Sequence, residues 1–173
     1  MSVITIEVRD NGVREALNAL AERTANMKPI LQKIGEDIKE RTKLRFSTST
    51  GPDGQRWAPN ARSTIEAFIA KRRGFGKRGI NKKGQALAMS KKPLIGESRD
   101  LSREFHVHAD QASVTIGNTM RYSAIQQFGG LAGKGRKVKI PARPFLPIRE
   151  SGELYPQDRS LILEDINRYL AGK

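Results

Sequence analysis

The sequence predicts an α+β fold, and three observations predict it. Runs of β-branched or alternating residues stand at the N-terminus and past the middle of the chain, and apolar stripes of helical period occupy other stretches. The two kinds do not alternate regularly enough for βαβ units. The expected architecture is therefore a small, mainly antiparallel sheet packed by N-terminal helices and a C-terminal helix, with a long basic loop. At 173 residues the chain is one domain's worth, 1–173, and 37% hydrophobic with 6% aromatic permits a modest core.

Taken in order, Val3-Ile-Thr-Ile-Glu-Val8 is rich in β-branched residues and predicts an opening strand, ended by Asp10-Asn11-Gly12. From Val13 to Thr24, Val13, Leu17, Leu20 and Ala21 share one helical face, with Asp10 or Asn11 near the cap. Pro29 suits the first turn of a second helix, whose Ile30, Leu31, Ile34 and Ile38 form a core stripe that Leu44 extends toward Phe46. The charged remainder of that helix predicts a solvated or partner-facing side. Small hydroxyl residues and glycines from Ser47 to Gly54 break it, and the lone tryptophan, Trp57, follows at once. Trp57 either plugs the core from a loop or meets a partner; the core weighs more, since tryptophan is highly buried on average. Ser63-Thr-Ile-Glu66 is a capping-box pattern that predicts a helix from about Thr64 to Lys71.

Net charge is +14, from 32 basic and 18 acidic residues, and the surplus is clustered. Residues 71–92 carry Lys71, Arg72, Arg73, Lys77, Arg78, Lys82, Lys83, Lys91 and Lys92 without one acidic side chain. Such a cluster is an electrostatic footprint for a polyanion or an acidic protein face. With four glycines interspersed, this stretch predicts a flexible arm that orders only against something. Its Gly74-x-Gly76 is no nucleotide motif, because no strand precedes it and the Lys-Ser/Thr ending of a phosphate loop is missing.

Beyond the arm, Phe105-His-Val-His-Ala109 and Ala112-Ser-Val-Thr-Ile-Gly117 alternate around Asp110-Gln111, which predicts a β-hairpin. His106 and His108 then share a strand face, but they would supply only two ligands with no acidic or thiolate cluster nearby, so no metal is expected. The chain closes with Pro156-Gln-Asp as a cap and a helix of about Arg159 to Leu170, with Leu161, Ile162, Ile166 and Leu170 facing the core. There is no cysteine, which leaves out disulfides and thiolate zinc sites. No apolar run approaches the roughly 20 residues of a membrane span, so the chain is expected to be soluble and made in the cytoplasm. None of the serines sits in a nucleophile elbow, and the adjacent carboxylates Glu36-Asp37 and Glu164-Asp165 would diverge on a helix. Neither an enzyme nor a cofactor is expected.

The segment from Tyr122 to Pro147 organises the rest. Its first half is apolar until Gly129-Gly130; its second half sets Pro141, Pro144 and Pro147 around Arg143 and Phe145, which holds the chain extended before any partner arrives. That predicts a docking element, with Arg143 and Phe145 at a contact and Tyr122 and Phe128 beside them; Phe145 is equally suited to the core. The order Tyr-x-Ala-Ile-x-Gln-Phe-Gly-Gly, then Ile-Pro-Ala-Arg-Pro-Phe-Leu, resembles the phage virion-morphogenesis family, the tail-completion or neck proteins of Mu-like and related tailed phages. Gly51-Pro-Asp-Gly-Gln-Arg-Trp-Ala-Pro59 and Pro93-Leu-Ile-Gly-Glu-Ser-Arg-Asp-Leu101 are similar to two further motifs of that family, while Gln126 stands where His is frequent and Glu97-Ser98 where Thr-Gly is commoner. The resemblance implies a virion structural protein at the head-tail neck or tail end. It implies a homo-oligomeric ring following the sixfold tail symmetry, with neighbouring neck, portal-adaptor or tail proteins, and proximity to channel DNA. Composition alone supports a second class, a basic nucleic-acid-binding module, although Phe75 is the sole aromatic between Lys71 and Lys92.

Overall fold

A computed structural model describes residues 11–172; the predicted opening strand and the Asp10 cap lie outside the described residues. Helix α1 spans Asn11–Ala25 and α2 spans Lys28–Thr48, with a proline in its first turn as expected. Helix α3 (Arg62–Lys71) precedes a short hairpin of β1 (Phe75–Gly76) and β2 (Gly79–Ile80), and α4 follows over Lys82–Ser90. A single turn, α5 (Asp100–Arg103), leads into the hairpin of β3 (Phe105–Ala109) and β4 (Val114–Asn118). Helix α6 (Ser123–Phe128) then gives way to β5 (Gly130–Ala132) and β6 (Val138–Ile140), and α7 (Pro156–Leu170) closes the chain. The fold is α+β. Among the described residues the strands form three separate antiparallel pairs, however, where one small sheet was expected.

The long helix α2 explains the arrangement. Ile30, Ile34 and Ile38 recur every four residues and are buried against Met27, Ile162, Ile166 and Tyr169, so the first half of α2 packs on α7. Two turns further, Phe46 enters a second cluster with Trp57, Leu101, Phe105 and Phe145. Within it, Phe46 lies 5.2 Å from the Phe145 ring and 5.3 Å, edge to face, from Trp57. Each such side chain taken fully from water contributes roughly 1.5–3 kcal/mol. Gly35 sits where α2 meets the β3–β4 hairpin; a Cβ there would fall 2.4 Å from Val107 Cγ1 and 2.8 Å from Val114 Cγ2, so the hairpin can lie on the helix only over glycine.

Several expectations are corrected. Leu44 is 61% exposed, because the inward stripe passes through Thr42, Arg45 and Phe46. On α1, Val13, Leu17 and Leu20 are exposed, since this helix meets the body at the end of α7, where Arg23 Nη1 donates to the Leu170 carbonyl at 3.0 Å. The capping box is not formed: Ala61 caps α3 without a side-chain bond, and Glu66 pairs with Arg62 at 2.7 Å. Tyr155 likewise caps α7, with Pro156 in the first turn and Asp158 turned inward.

The largest correction concerns residues 71–92, which fold where a flexible arm was expected. Asn81 caps α4 by accepting from the Gly84 N–H at 2.9 Å, and α4 packs back on α3. The glycines are the reason for order here. Gly74 and Gly84 stand back to back, and a Cβ on Gly84 would fall 2.1 Å from the Gly74 carbonyl oxygen.

Candidate assembly surface

Prolines donate no hydrogen bond, so a segment containing three of them must find backbone partners outside a strand ladder. Residues 141–148 find most of theirs in side chains. The Gln127 amide oxygen accepts from the N–H groups of Phe145 and Leu146, both at 2.9 Å, and its amide nitrogen donates to the carbonyls of Leu146 and Ile148 at 3.1 and 2.9 Å. Trp57 Nε1 donates to the Pro144 carbonyl at 2.8 Å, and Arg45 Nη1 to that of Phe145 at 2.9 Å. Arg143 is held from the other direction. Its Nε and Nη2 donate to the carbonyls of Ala58 and Pro59, each at 2.8 Å, and its backbone N–H donates to the Gln126 carbonyl at 2.8 Å. Burial pushes its pKa down, and its charge is met by neutral oxygens.

This geometry places the five residues expected at a contact in two groups. Trp57, Arg143 and Phe145 are buried, at 6%, 7% and 0% exposure, and serve the chain's own core. The proline segment is as fixed as its composition implies, but it is clamped between α6 and the turn at residues 57–59, with Arg143, Phe145 and Pro147 buried. Tyr122 and Phe128 remain exposed at the two ends of α6, and Leu131 and Val138 on the β5–β6 hairpin are exposed as well. Around them the hairpin carries exposed Lys134, Arg136, Lys137 and Lys139.

The nine cations of residues 71–92 also divide. Lys71 and Arg72 bind Glu97 at 2.6 and 2.9 Å, and Arg72 lies 3.9 Å over the Phe68 ring. Lys91 donates to the Ile95 carbonyl, and Lys92 to that of Ser47 at 2.6 Å. Arg73, Lys77, Arg78, Lys82 and Lys83 are exposed, without an ion pair to any described residue. His106 and His108 are exposed too, and no group of three metal-ligating side chains occurs among the described residues.

A family model described as the phage virion morphogenesis family matches residues 8–171. The chain belongs to this family. It is also 31% identical over 167 residues, 95% of each chain, to Mu-like prophage FluMu G protein 2 of Haemophilus influenzae. No solved structure matches it significantly. Family membership carries a part in building a phage virion, and no helix among the described residues is long and apolar enough to cross a membrane.

In this virion morphogenesis protein, two of the motifs quoted from the sequence meet in space. The Pro52-Asp-Gly turn delivers Trp57 to the carbonyl of Pro144, and the Tyr-x-Ala-Ile-x-Gln-Phe-Gly-Gly stretch delivers Gln127 to the opposite edge of the same segment. Sequence reasoning missed Gln127, Arg45 and Asp158. A signal for the first existed: a proline-rich segment lacks its own donors and ladder, so a nearby amide side chain is its natural partner. Arg45 and Asp158, on separate helices, have no comparable mark.

Proposed function

We propose that the protein is a ring-forming subunit at the head-tail neck or tail end of a phage or prophage particle, where it completes the tail or joins it to the head. The observation that carries this reading is the family match over residues 8–171, nearly the whole chain. The 31% identical Mu-like prophage relative, of nearly equal length, supports the same setting. Copies of the chain meet through the exposed Tyr122, Phe128, Leu131 and Val138, a group of apolar side chains beside a basic hairpin. Neighbouring neck, portal-adaptor or tail proteins complete the contacts, and the unpaired cations of β1–β2 and α4 stand near channel DNA.

The test is deletion of the gene in the particle-producing strain, followed by electron microscopy and complementation. The expected result is accumulation of separate heads and tails, or of tails with aberrant ends, with the protein detected in particles of the complemented strain. Normal particles from the deletion strain would overturn the reading.

A further inference from the structure

We propose that a basic groove between the C-terminal end of α2, α3 and the loop after α4 receives an acidic segment of a neighbouring virion protein; this rests on the virion-assembly reading above. The groove encloses about 750 Å³, room for a few residues of peptide. Lys43, Arg72, Lys91, Lys92, Arg99 and Arg103 line it, against one carboxylate, Glu97. That carboxylate is already taken by Lys71 and Arg72. Lys43 pairs with Glu40 at 2.7 Å, but Lys91 and Lys92 donate to backbone carbonyls without a carboxylate partner, and Arg99 and Arg103 form no ion pair with any described residue. The lining therefore holds more positive charge than the chain neutralises. Burial and the nearby Arg72 both lower the pKa of Lys91, as expected where cations crowd in a recess.

Charge complementarity calls for an acidic occupant, and two features select protein. Nucleic acid bound in a groove without base readout gains from stacking on open rings, yet Phe68, the half-buried ring at this groove, has Arg72 3.9 Å and Lys91 5.2 Å from its centroid. Ile95 and Phe68 also give the floor an apolar part, which suits carboxylates interspersed with aliphatic side chains. A second copy of this chain is assigned to a different surface, the apolar patch of Tyr122, Phe128, Leu131 and Val138.

The experiment measures fluorescence anisotropy of a labelled peptide alternating glutamate and leucine, and of labelled oligothymidine, with the purified full-length protein. Three proteins are compared: wild type, Arg99→Glu/Arg103→Glu, and Lys77→Glu/Arg78→Glu, which changes net charge equally on the β1–β2 hairpin, outside the lining of the groove. Circular dichroism establishes that all three are folded. The expected result is peptide binding at least about tenfold weaker in Arg99→Glu/Arg103→Glu, and little changed in Lys77→Glu/Arg78→Glu. Equal affinity in all three, or equal loss in both variants, overturns the proposal. So does preferential oligothymidine binding that Arg99→Glu/Arg103→Glu abolishes, which would make the groove a nucleic-acid site. Complementation separates the two levels of argument: if wild type restores particles and Arg99→Glu/Arg103→Glu restores them fully, the groove inference fails alone. If the wild-type protein is absent from particles and dispensable for them, the virion reading fails.

Discussion

Asp158 Oδ2 lies 2.6 Å from Arg45 Nη2, a pair that joins the first turn of α7 to the last turns of α2 across 113 residues of sequence. The carboxylate is 2% exposed and is also approached by Arg41 Nε at 3.3 Å. Arg45 in turn holds the Phe145 carbonyl, so one guanidinium ties α7, α2 and the proline segment together. Removing the carboxylate leaves a buried cation uncompensated. Asp158→Ala is expected to destabilise the protein by about 3 kcal/mol or more, with Asp158→Asn close behind because shape survives but charge does not. Denaturant unfolding measures this; a change below about 1 kcal/mol, ordinary for a surface position, would refute the coupling.

Gln127 makes four hydrogen bonds to the proline segment, two as acceptor and two as donor. Gln127→Leu keeps the volume and discards all four. The expected loss is roughly 3 kcal/mol, since buried backbone groups left unpaired cost about 1–3 kcal/mol each. Gln127→Glu should be rescued only partly: it retains acceptors for Phe145 and Leu146 but turns an oxygen toward the two carbonyls. Thermal melts of the two variants should rank wild type, Glu, Leu, and an unchanged Leu variant would contradict the bracket.

Gly84→Ala inverts an ordinary rule. Replacing a helical glycine by alanine commonly stabilises by up to about 1 kcal/mol. Here the new Cβ would fall 2.1 Å from the Gly74 carbonyl oxygen, a backbone atom that cannot swing aside. The substitution should open residues 71–92 while leaving the two cores intact. Hydrogen exchange is the direct measure: the Asn81 N–H, bonded to the Gly74 carbonyl at 3.1 Å, should exchange faster in the variant, and unchanged protection would rule the contact out as a constraint.

The β3–β4 turn should show an acid-sensitive step. Asp110 accepts from the Ala112 N–H at 2.8 Å and from the Ser113 N–H and Oγ at 2.7 and 2.9 Å, which lowers its pKa. A depressed folded-state pKa contributes stability above the unfolded value near 3.9, and that contribution is lost as pH falls through the folded value. An NMR titration should place the Asp110 carboxyl below the usual aspartate range. Asp110→Asn should flatten the acid side of the stability profile; an unshifted Asp110 would remove the basis for both.

What was legible in the sequence follows the range of the forces involved. Local periodicity found α2 from Pro29 and its isoleucines, and alternation found the hairpin from Phe105 to Gly117, because both signals lie within a few residues. The burial of Trp57 was legible too, from its size alone. Arg143 was misplaced as a partner contact, since its binding to the Ala58 and Pro59 carbonyls depends on chain brought back across more than 80 residues. Order in residues 71–92 was hidden for a similar reason: glycine signals freedom in isolation, but a pair of glycines facing each other signals close packing, and only the fold shows that Gly74 faces Gly84.

The proline segment has a consequence for how many copies can crowd together without misassembly. From Arg143 to Pro147 every backbone N–H that exists is taken, at Arg143, Phe145 and Leu146, and Pro144 and Pro147 have none. An extended stretch normally offers its edge to any passing strand, and the hazard grows with local concentration. This one offers no row of donors. Copies of the chain brought to high local concentration thus meet a segment that is closed to intermolecular β-pairing.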